Sequence, residues 1–240
     1  KVIYDRAHSA IARAESAEFD WGKIFEGAGW FHFTGITPAL GKNVAEITQI
    51  ACREAKARKI TVSCDLNYRK KLWTKEQARE TMTKLMPFVD VCIANEEDAK
   101  DVFGIEAQGS DAEKGKIDRE SYKQVAKQLK DAFGFRYVAI TLRESVSASD
   151  NFWSGMLYDG ANFCFGKKYA MHIVDRVGGG DSFAGGLIYA LSSGYDTQKA
   201  IDLAVAASCL KHSVEGDYNM VTLSEAESLA NGNGSGRVQR

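Results

Sequence analysis

The chain has 240 residues, of which 45% are hydrophobic and 26% charged, proportions that are ordinary for a globular protein with one sizeable core. Its 31 basic and 32 acidic side chains nearly cancel, so the charge gives no reason to expect a nucleic acid or a membrane surface as partner. The five cysteines are odd in number and form no C-x-x-C pair, which argues against a disulfide framework or a zinc site and favours a reducing cytoplasm.

Short β-type runs alternate with amphipathic helical stretches through the first half of the chain. Strands are predicted at residues 1–4, 28–34, 60–66 and 89–94. Asn43 and Thr74 are placed to cap two helices between these strands, and Pro87 ends the second of them. Another helix begins after Asn95 with three acidic residues, where negative charge suits the helix dipole.

The second half continues the same alternation after a polar stretch at 107–120, which predicts an exposed loop. A helix is predicted at 121–133, and strands are predicted at 137–142, 152–158, 162–165 and 172–175. The last strand leads into three glycines and Asp181, and two apolar helices follow. The glycine-rich tail at 231–240 is predicted to be mobile, and no apolar run is long enough to span a bilayer.

Strands that alternate with helices predict βαβ units, with a mainly parallel sheet and helices on both of its faces. Such sheets bind ligands at the carboxyl ends of their strands. Four segments follow directly after predicted strands and are the candidates for a site: residues 65–69, 95–98, 141–143 and 175–181.

The strongest chemical signal is the run Gly178-Gly179-Gly180-Asp181 at a strand-to-helix junction, where a helix is predicted to start at about Asp181. Glycines let the backbone approach a ligand and point several N–H groups at it, and the helix adds its positive dipole end. The two together suit the terminal phosphates of a nucleotide, and an aspartate there can take a proton from an attacking hydroxyl. The alternative is a plain tight turn in which Asp181 only caps the helix.

With Asp175 added, this run resembles the D-x-x-G-A-G-D signature of ribokinase-like (PfkB) sugar kinases, with Gly179 in the place where alanine is usual. The resemblance implies a ribokinase-like three-layer α/β/α fold, with Asp181 as catalytic base and the amides of Gly178, Gly179 and Gly180 as an anion hole. Gly178 and Gly180 would also contact the nucleotide, and Asp181 the substrate. No Walker A sequence and no G-x-G-x-x-G after a strand occurs in the chain.

A second segment, Asp65-Leu66-Asn67-Tyr68-Arg69 with Leu72-Trp73, resembles the D-x-N-x-R-x-x-L-W of the family's 2-keto-3-deoxygluconate (KDG) kinases. That resemblance implies that Arg69 binds the sugar-acid substrate. A guanidinium group can hold a carboxylate or a phosphate at two points at once. A surface arginine paired with a nearby acid is the alternative interpretation.

Near the start, Tyr4 and Arg6 resemble the Y-x-R of the same kinases, which directs both side chains at the substrate's carboxylate end. The two would share a face of a strand, because strand side chains alternate. A generic strand with alternating polar residues is the alternative. His32 lies among aromatic residues and is interpreted as part of the core.

Two further matches concern the metal and the nucleotide. Asn95 and Asp98 stand in the place of the family's N-x-x-E motif, with aspartate for glutamate, which implies binding of Mg²⁺ through water. Thr141 and Arg143 stand where the family has a glycine-containing nucleotide loop, here without its glycines. His212 is on the helix that borders the adenine in the family, although an exposed histidine at a helix end is the simpler interpretation.

The resemblance covers nearly the whole chain and implies ATP-dependent, Mg²⁺-dependent phosphorylation of KDG at its terminal C6 hydroxyl. Residues 1–240 would form one kinase domain that lacks the family's N-terminal strands and part of its lid. Two alternatives stay open: another sugar kinase of the family, of fructokinase or ribokinase type, and a non-catalytic nucleotide-binding fragment. Whether the chain forms a homo-oligomer also stays open.

Overall fold

The computed structural model describes residues 6–106 and 119–232, which form two compact units. The first unit comprises residues 1–107 and 124–138, and the second comprises residues 108–123 and 139–240. The predicted strand at 1–4, most of the predicted loop at 107–120 and all but two residues of the predicted mobile tail lie outside the described residues.

The helices have these bounds: α1 Trp21–Ile24, α2 Lys42–Ala57, α3 Lys75–Leu85, α4 Glu96–Phe103, α5 Arg119–Phe133, α6 Gly179–Ser192, α7 Thr197–Lys211 and α8 Leu223–Ala230. The strands are β1 Trp30–Thr34, β2 Thr61–Asp65, β3 Val91–Ala94, β4 Tyr137–Ser145, β5 Asp150–Tyr158, β6 Phe163–Phe165 and β7 Tyr169–His172. Within the described part of the chain, no helix has the length and apolarity needed to cross a membrane.

The first unit contains the predicted parallel arrangement. Strand β2 is in the middle, with β1 on one side and β3 on the other, and both pairings are parallel. Every residue of β3 is buried, as expected for a strand covered on both faces. Because parallel strands end at the same edge, Thr34 and Asp65 are paired at the end of β1 and β2, and the candidate segment 65–69 begins there.

The second unit contains an antiparallel part and two apolar helices. Strand β5 pairs with β6 and with β7, both antiparallel, and β5 and β6 confirm the strands predicted at 152–158 and 162–165. Helix α7 is buried on several sides, and it packs closely on α6 at Gly186, where a methyl group would lie 3.1 Å from the Cα of Ala204. The small residues on both helices permit this approach.

Three local predictions are wrong. Asn43 does not cap α2, because its side chain instead donates to the carbonyls of Ala12 and Ala14. His32 is not in the core, since the strand alternation that buries Phe33 leaves it exposed, with Nδ1 2.8 Å from the Oγ of Ser63.

The third error concerns the strand predicted at 172–175. Strand β7 ends at His172, and the next residues leave it because the amides of Val174 and Asp175 both donate to the carbonyl of His212. The segment that leads to the glycines is therefore fastened to the end of α7 and is not part of the sheet.

The cysteines are all free thiols, and their burial differs between the units. Cys52, Cys64 and Cys92 in the first unit are buried without measurable exposure, whereas Cys164 and Cys209 in the second unit are partly exposed. Burial raises the pKa of Cys52 to about 12 and raises the pKa values of Cys64 and Cys92 further above the ordinary range. These three thiols are therefore protonated and shielded, as expected for structural cysteines.

Candidate active site

The glycine run of the second unit forms the first turn of α6. The helix begins at Gly179, two residues before the start that the sequence predicted, so Asp181 lies within the first turn and is not the cap. Gly178 precedes the helix with φ +78°, a left-handed conformation that favours glycine. The N–H groups of this first turn have no partner inside the helix, although the amide of Gly179 donates to the carbonyl of Arg176 at 3.4 Å. N–H groups at the start of a helix are suited to binding an anion.

There is also no space for a side chain at Gly178. A methyl group on it would lie 2.2 Å from the carbonyl oxygen of Asp217, so no side chain fits without a movement of the backbone. The run is thus pressed against the loop that follows α7. Glycine is needed here both for the backbone angle and for the close approach, which explains why the turn has this residue.

Gly179 is packed against a buried histidine. A methyl group on Gly179 would lie 2.4 Å from the Cε1 atom of His212, which is only 5% exposed. Its Nδ1 atom is 2.7 Å from the carbonyl of Ser208, and its ring is 5.3 Å from that of Trp153. The expectation of an exposed histidine at the helix end is therefore wrong, because residues distant in sequence cover the ring.

Asp175 and Asp181 have different surroundings. One carboxylate oxygen of Asp175 accepts from the amide of Val177, and the other accepts from the amide of Gly216. These two bonds lower the pKa of Asp175 and connect the segment before the glycines with the loop after α7. Asp181, by contrast, is exposed at the mouth of the helix start and lines a largely apolar cavity of 390 Å³. Its position suits a group that exchanges a proton with a ligand.

In the first unit, the segment between β2 and Arg69 contains a residue with a left-handed backbone conformation. Asn67 has φ +39°, and its Nδ2 atom donates to the Oγ1 of Thr34 at 3.0 Å. The amide of Tyr68 donates to a carboxylate oxygen of Asp98 at 3.0 Å. Arg69 is exposed, with Nη1 bonded to the carbonyl of Tyr68, so its guanidinium has further donors for a ligand.

Asn95 and Asp98 form the N-terminal cap of α4. Asn95 Oδ1 accepts from the amide of Asp98, and Asp98 accepts from the amide of Asn95 in return. Asp98 is only 5% exposed, and burial raises its pKa from 3.8 to about 6, against the opposing effect of its hydrogen bonds. Both of its oxygens are engaged by backbone amides.

This arrangement does not fit direct metal coordination. Asn95 and Asp98 already use their oxygens for the cap, and in residues 6–106 and 119–232 no three His, Cys, Asp or Glu side chains are grouped as a metal site. The predicted contact with Mg²⁺ through water remains a proposal.

The buried carboxyl of Asp98 predicts a specific pH dependence of stability. Its folded pKa of about 6 exceeds the ordinary 3.8, so the folded state binds its proton more tightly than the unfolded state. The free energy of unfolding of the wild type relative to Asp98→Asn should therefore fall by about 2–3 kcal/mol as the pH rises from about 4 to about 6. Urea denaturation of both proteins at several pH values measures this difference.

The control for that experiment is Asp131→Asn, which changes an exposed aspartate. It measures how the loss of an exposed aspartate by itself changes stability with pH. A difference between wild type and Asp98→Asn that changes with pH no more than this control does would contradict the assignment of a raised pKa to Asp98.

The other site residues that the sequence indicated are in β4 and near the start of the chain. Thr141 and Arg143 are not in a loop, because β4 continues through Ser145; without glycines, the extended backbone is not interrupted. Arg143 is exposed, and its charge contributes to lowering the pKa of the buried His212, after the larger effect of burial. Tyr4 lies outside the described residues, and Arg6 is half-buried in a non-strand segment.

The model of the pfkB family of carbohydrate kinases matches residues 2–223. The chain belongs to this family. The glycine run, with its left-handed Gly178 and exposed Asp181, lies within the matched residues.

Three pfkB relatives are informative. The 2-dehydro-3-deoxygluconokinase structure from Thermotoga maritima is 50% identical and has a TM-score of 0.91, over 97% of this chain and 68% of that one. The 2-dehydro-3-deoxygalactonokinase of Haloferax volcanii is 32% identical over 98% of this chain and 67% of its own length. The 2-dehydro-3-deoxygluconokinase of Thermoproteus tenax is 28% identical over 95% of this chain and 63% of its own length. The predicted ribokinase-like α/β fold is confirmed.

The chain spans about two thirds of the length of these relatives, from 63% to 68%. The sequence predicted the glycine run and Asp181, but it did not indicate the residues that support them. In the sequence, Ser208 and Lys211 look like ordinary residues of an apolar helix, although the Oγ of Ser208 donates to the carbonyl of Gly179 at 2.7 Å. Their contact with the glycines becomes visible only in the structure, where the end of α7 packs against Gly178 and Gly179.

Proposed function

We propose that this chain belongs to a kinase that transfers the γ-phosphoryl group of ATP to the terminal C6 hydroxyl of 2-keto-3-deoxygluconate. The observation that carries the proposal is the exposed carboxylate of Asp181 in the first turn of α6, beside the glycine amides, in a chain of the pfkB family. A carboxylate beside backbone amides supports the proposal, because phosphoryl transfer requires a proton acceptor and donors for an anion.

In the proposed reaction, Asp181 removes the proton of the C6 hydroxyl as its oxygen attacks the γ-phosphorus. A bond forms between that oxygen and phosphorus, and the bond from phosphorus to the β-γ bridging oxygen breaks, which leaves ADP. The amides of Gly178, Gly179 and Gly180 and the positive end of α6 stabilise the charge on the transferred group. Mg²⁺ bound to ATP would neutralise further phosphate charge.

Recognition of a sugar acid, not a neutral sugar, is proposed for the arginines of the first unit. Arg69 is exposed on a segment whose preceding residues are held by Thr34 and Asp98, so its guanidinium is accessible to a ligand. Arg6 and Tyr4 are proposed to contribute to the same carboxylate. A neutral sugar such as fructose or ribose would not need two arginines.

A second candidate substrate is 2-keto-3-deoxygalactonate, the epimer of the first. The 32% identity to the enzyme of Haloferax volcanii favours it, whereas the 50% identity to the Thermotoga maritima protein favours the gluconate form. Both substrates have the same carboxylate and the same terminal hydroxyl. The roles proposed for Asp181 and Arg69 are therefore independent of this choice.

The test is ADP release by the chain with Mg²⁺-ATP and each of five compounds: the two 2-keto-3-deoxy acids, gluconate, fructose and ribose. We expect turnover with one or both keto acids and little with the neutral sugars. Turnover that is faster with fructose or ribose would overturn the sugar-acid assignment and leave a neutral-sugar kinase. Nucleotide binding without turnover on any compound would favour a non-catalytic nucleotide-binding chain.

A further inference from the structure

Lys211 is a fully buried lysine at the end of α7, with a side chain that has no measurable exposure. Lysines are almost never completely buried unless a partner compensates their charge. The proposed function gives this residue no role, and the sequence did not single it out. Its position in the fold is next to the glycine run.

The side chain lies directly beneath Gly178. Its Cε atom would be 3.3 Å from a methyl group placed on that glycine, and its Nζ atom donates to the carbonyl of Val214 at 3.0 Å. The ammonium is also close enough to Asp175 and His212 to lower the pKa of both, although it is not the main cause for either. It thus lies among the residues that hold the start of α6.

The protein compensates this charge only in part. Within residues 6–106 and 119–232, no carboxylate oxygen lies within 4.0 Å of Nζ. The ammonium has three N–H donors, and one of them donates to the carbonyl of Val214. Asp175, whose pKa the charge of Lys211 helps to lower, already accepts amides at both oxygens. A buried charge that is incompletely paired is costly, and it exerts a strong field because little solvent screens it.

We propose that the ammonium of Lys211 is a positioning and electrostatic group for the phosphate end of the nucleotide. It acts through Gly178, whose amide and neighbouring amides it makes more attractive to an anion, and does not touch the ligand. The cost of its burial is offset when a polyphosphate binds over the glycines. This proposal rests on the proposed function, because it takes the glycine run to be the phosphate site.

The experiment compares Lys211→Met and Lys211→Gln with Lys199→Met, which removes the same charge from an exposed position on the same helix. Calorimetry would measure the affinity of each protein for a non-hydrolysable ATP analogue and for AMP. We expect both Lys211 variants to bind the analogue at least about tenfold more weakly, about 1.4 kcal/mol, with AMP affinity nearly unchanged. Lys199→Met should bind both ligands like the wild type.

Thermal unfolding separates this role from a purely structural one. A methionine of similar length in place of a buried charge is often neutral or stabilising, so Lys211→Met should melt no lower than the wild type. If that variant does not fold, Lys211→Gln, which can still donate to Val214, supplies the comparison.

Equal weakening of the analogue and AMP, or unchanged affinity for both in a folded variant, would overturn the proposal for Lys211 alone. A wild-type chain that binds neither nucleotide would count against this proposal and the proposed function together. A wild type that binds both, yet phosphorylates nothing, would leave the result for Lys211 valid and contradict only the catalytic assignment.

Discussion

Replacement of Asp181 by asparagine is expected to lower kcat for the keto-acid substrate by a factor of about 10² to 10⁴. Asparagine has nearly the same shape but cannot accept the proton of the hydroxyl. Since the carboxylate is exposed, its loss should change the free energy of unfolding by no more than about 0.5 kcal/mol. Steady-state kinetics with Mg²⁺-ATP, together with the dissociation constant of the ATP analogue, would measure the effect.

The matched control is again Asp131→Asn, an exposed aspartate of α5 that should retain full activity. If Asp181→Asn kept a kcat within about threefold of the wild type, this residue could not be the general base. A large loss of analogue affinity in the same variant would instead indicate that Asp181 supports the phosphate site and does not act on the proton.

Gly179→Ala is expected to destabilise the protein, although alanine is the usual residue of the family motif at this place. The new methyl group would lie 2.4 Å from the Cε1 atom of His212. That ring cannot easily move, because its Nδ1 atom is bonded to the carbonyl of Ser208 and it packs on Trp153. Overpacking of this kind costs about 1–3 kcal/mol, and we expect a loss in that range.

A second substitution tests the cause. In the double variant Gly179→Ala with His212→Ala, the methyl group has room, so the two changes together should cost clearly less than the sum of their separate costs. Gly180→Ala is the control for stability, because a methyl group there meets no atom within 4 Å. Urea denaturation of the four variants and the wild type supplies the cycle. Strict additivity would contradict the proposed clash.

This pair also changes how the departure from the family motif is understood. From the sequence alone, glycine in place of alanine at 179 is a minor change, since the amides carry the chemistry. The structure shows that the edge of the His212 ring takes the space of that methyl group. We expect relatives that have alanine at this place to have a smaller or displaced side chain where this chain has His212.

The part of the proposed site around Asp181 is visible in the sequence for a physical reason. A backbone that must approach a phosphate needs glycines at adjacent positions, so Gly178, Gly179 and Gly180 are visible as a local pattern next to Asp181. The start of α6 was placed two residues too late because glycines have a low helix propensity. Here the hydrogen bond from Ser208 to the carbonyl of Gly179 helps to hold the turn.

The residues that support the site could not be predicted in the same way. His212 and Lys211 are adjacent at the end of a helix, a position where exposed polar side chains are common, yet both are buried. Their burial depends on Trp153 and Gly178, which are distant in the sequence. Likewise, Asn95 and Asp98 fit a metal motif and a capping box equally well, and only the contact of Asp98 with the amide of Tyr68 reveals its bridging role.

Because the buried cysteines are in the first unit and the partly exposed ones are in the second, cysteine labelling can measure local unfolding of each unit. Cys164 and Cys209 of the second unit are partly exposed, and because burial raises the pKa of both thiols, an alkylating reagent should label them in the native state at alkaline pH. Cys52, Cys64 and Cys92 should react only when the first unit opens. Mass spectrometry of pulse-labelled protein would therefore follow the two units separately, without any engineered label. Transient exposure of the strands beneath Arg69 and Asp98 could be timed in this way, with or without a bound substrate.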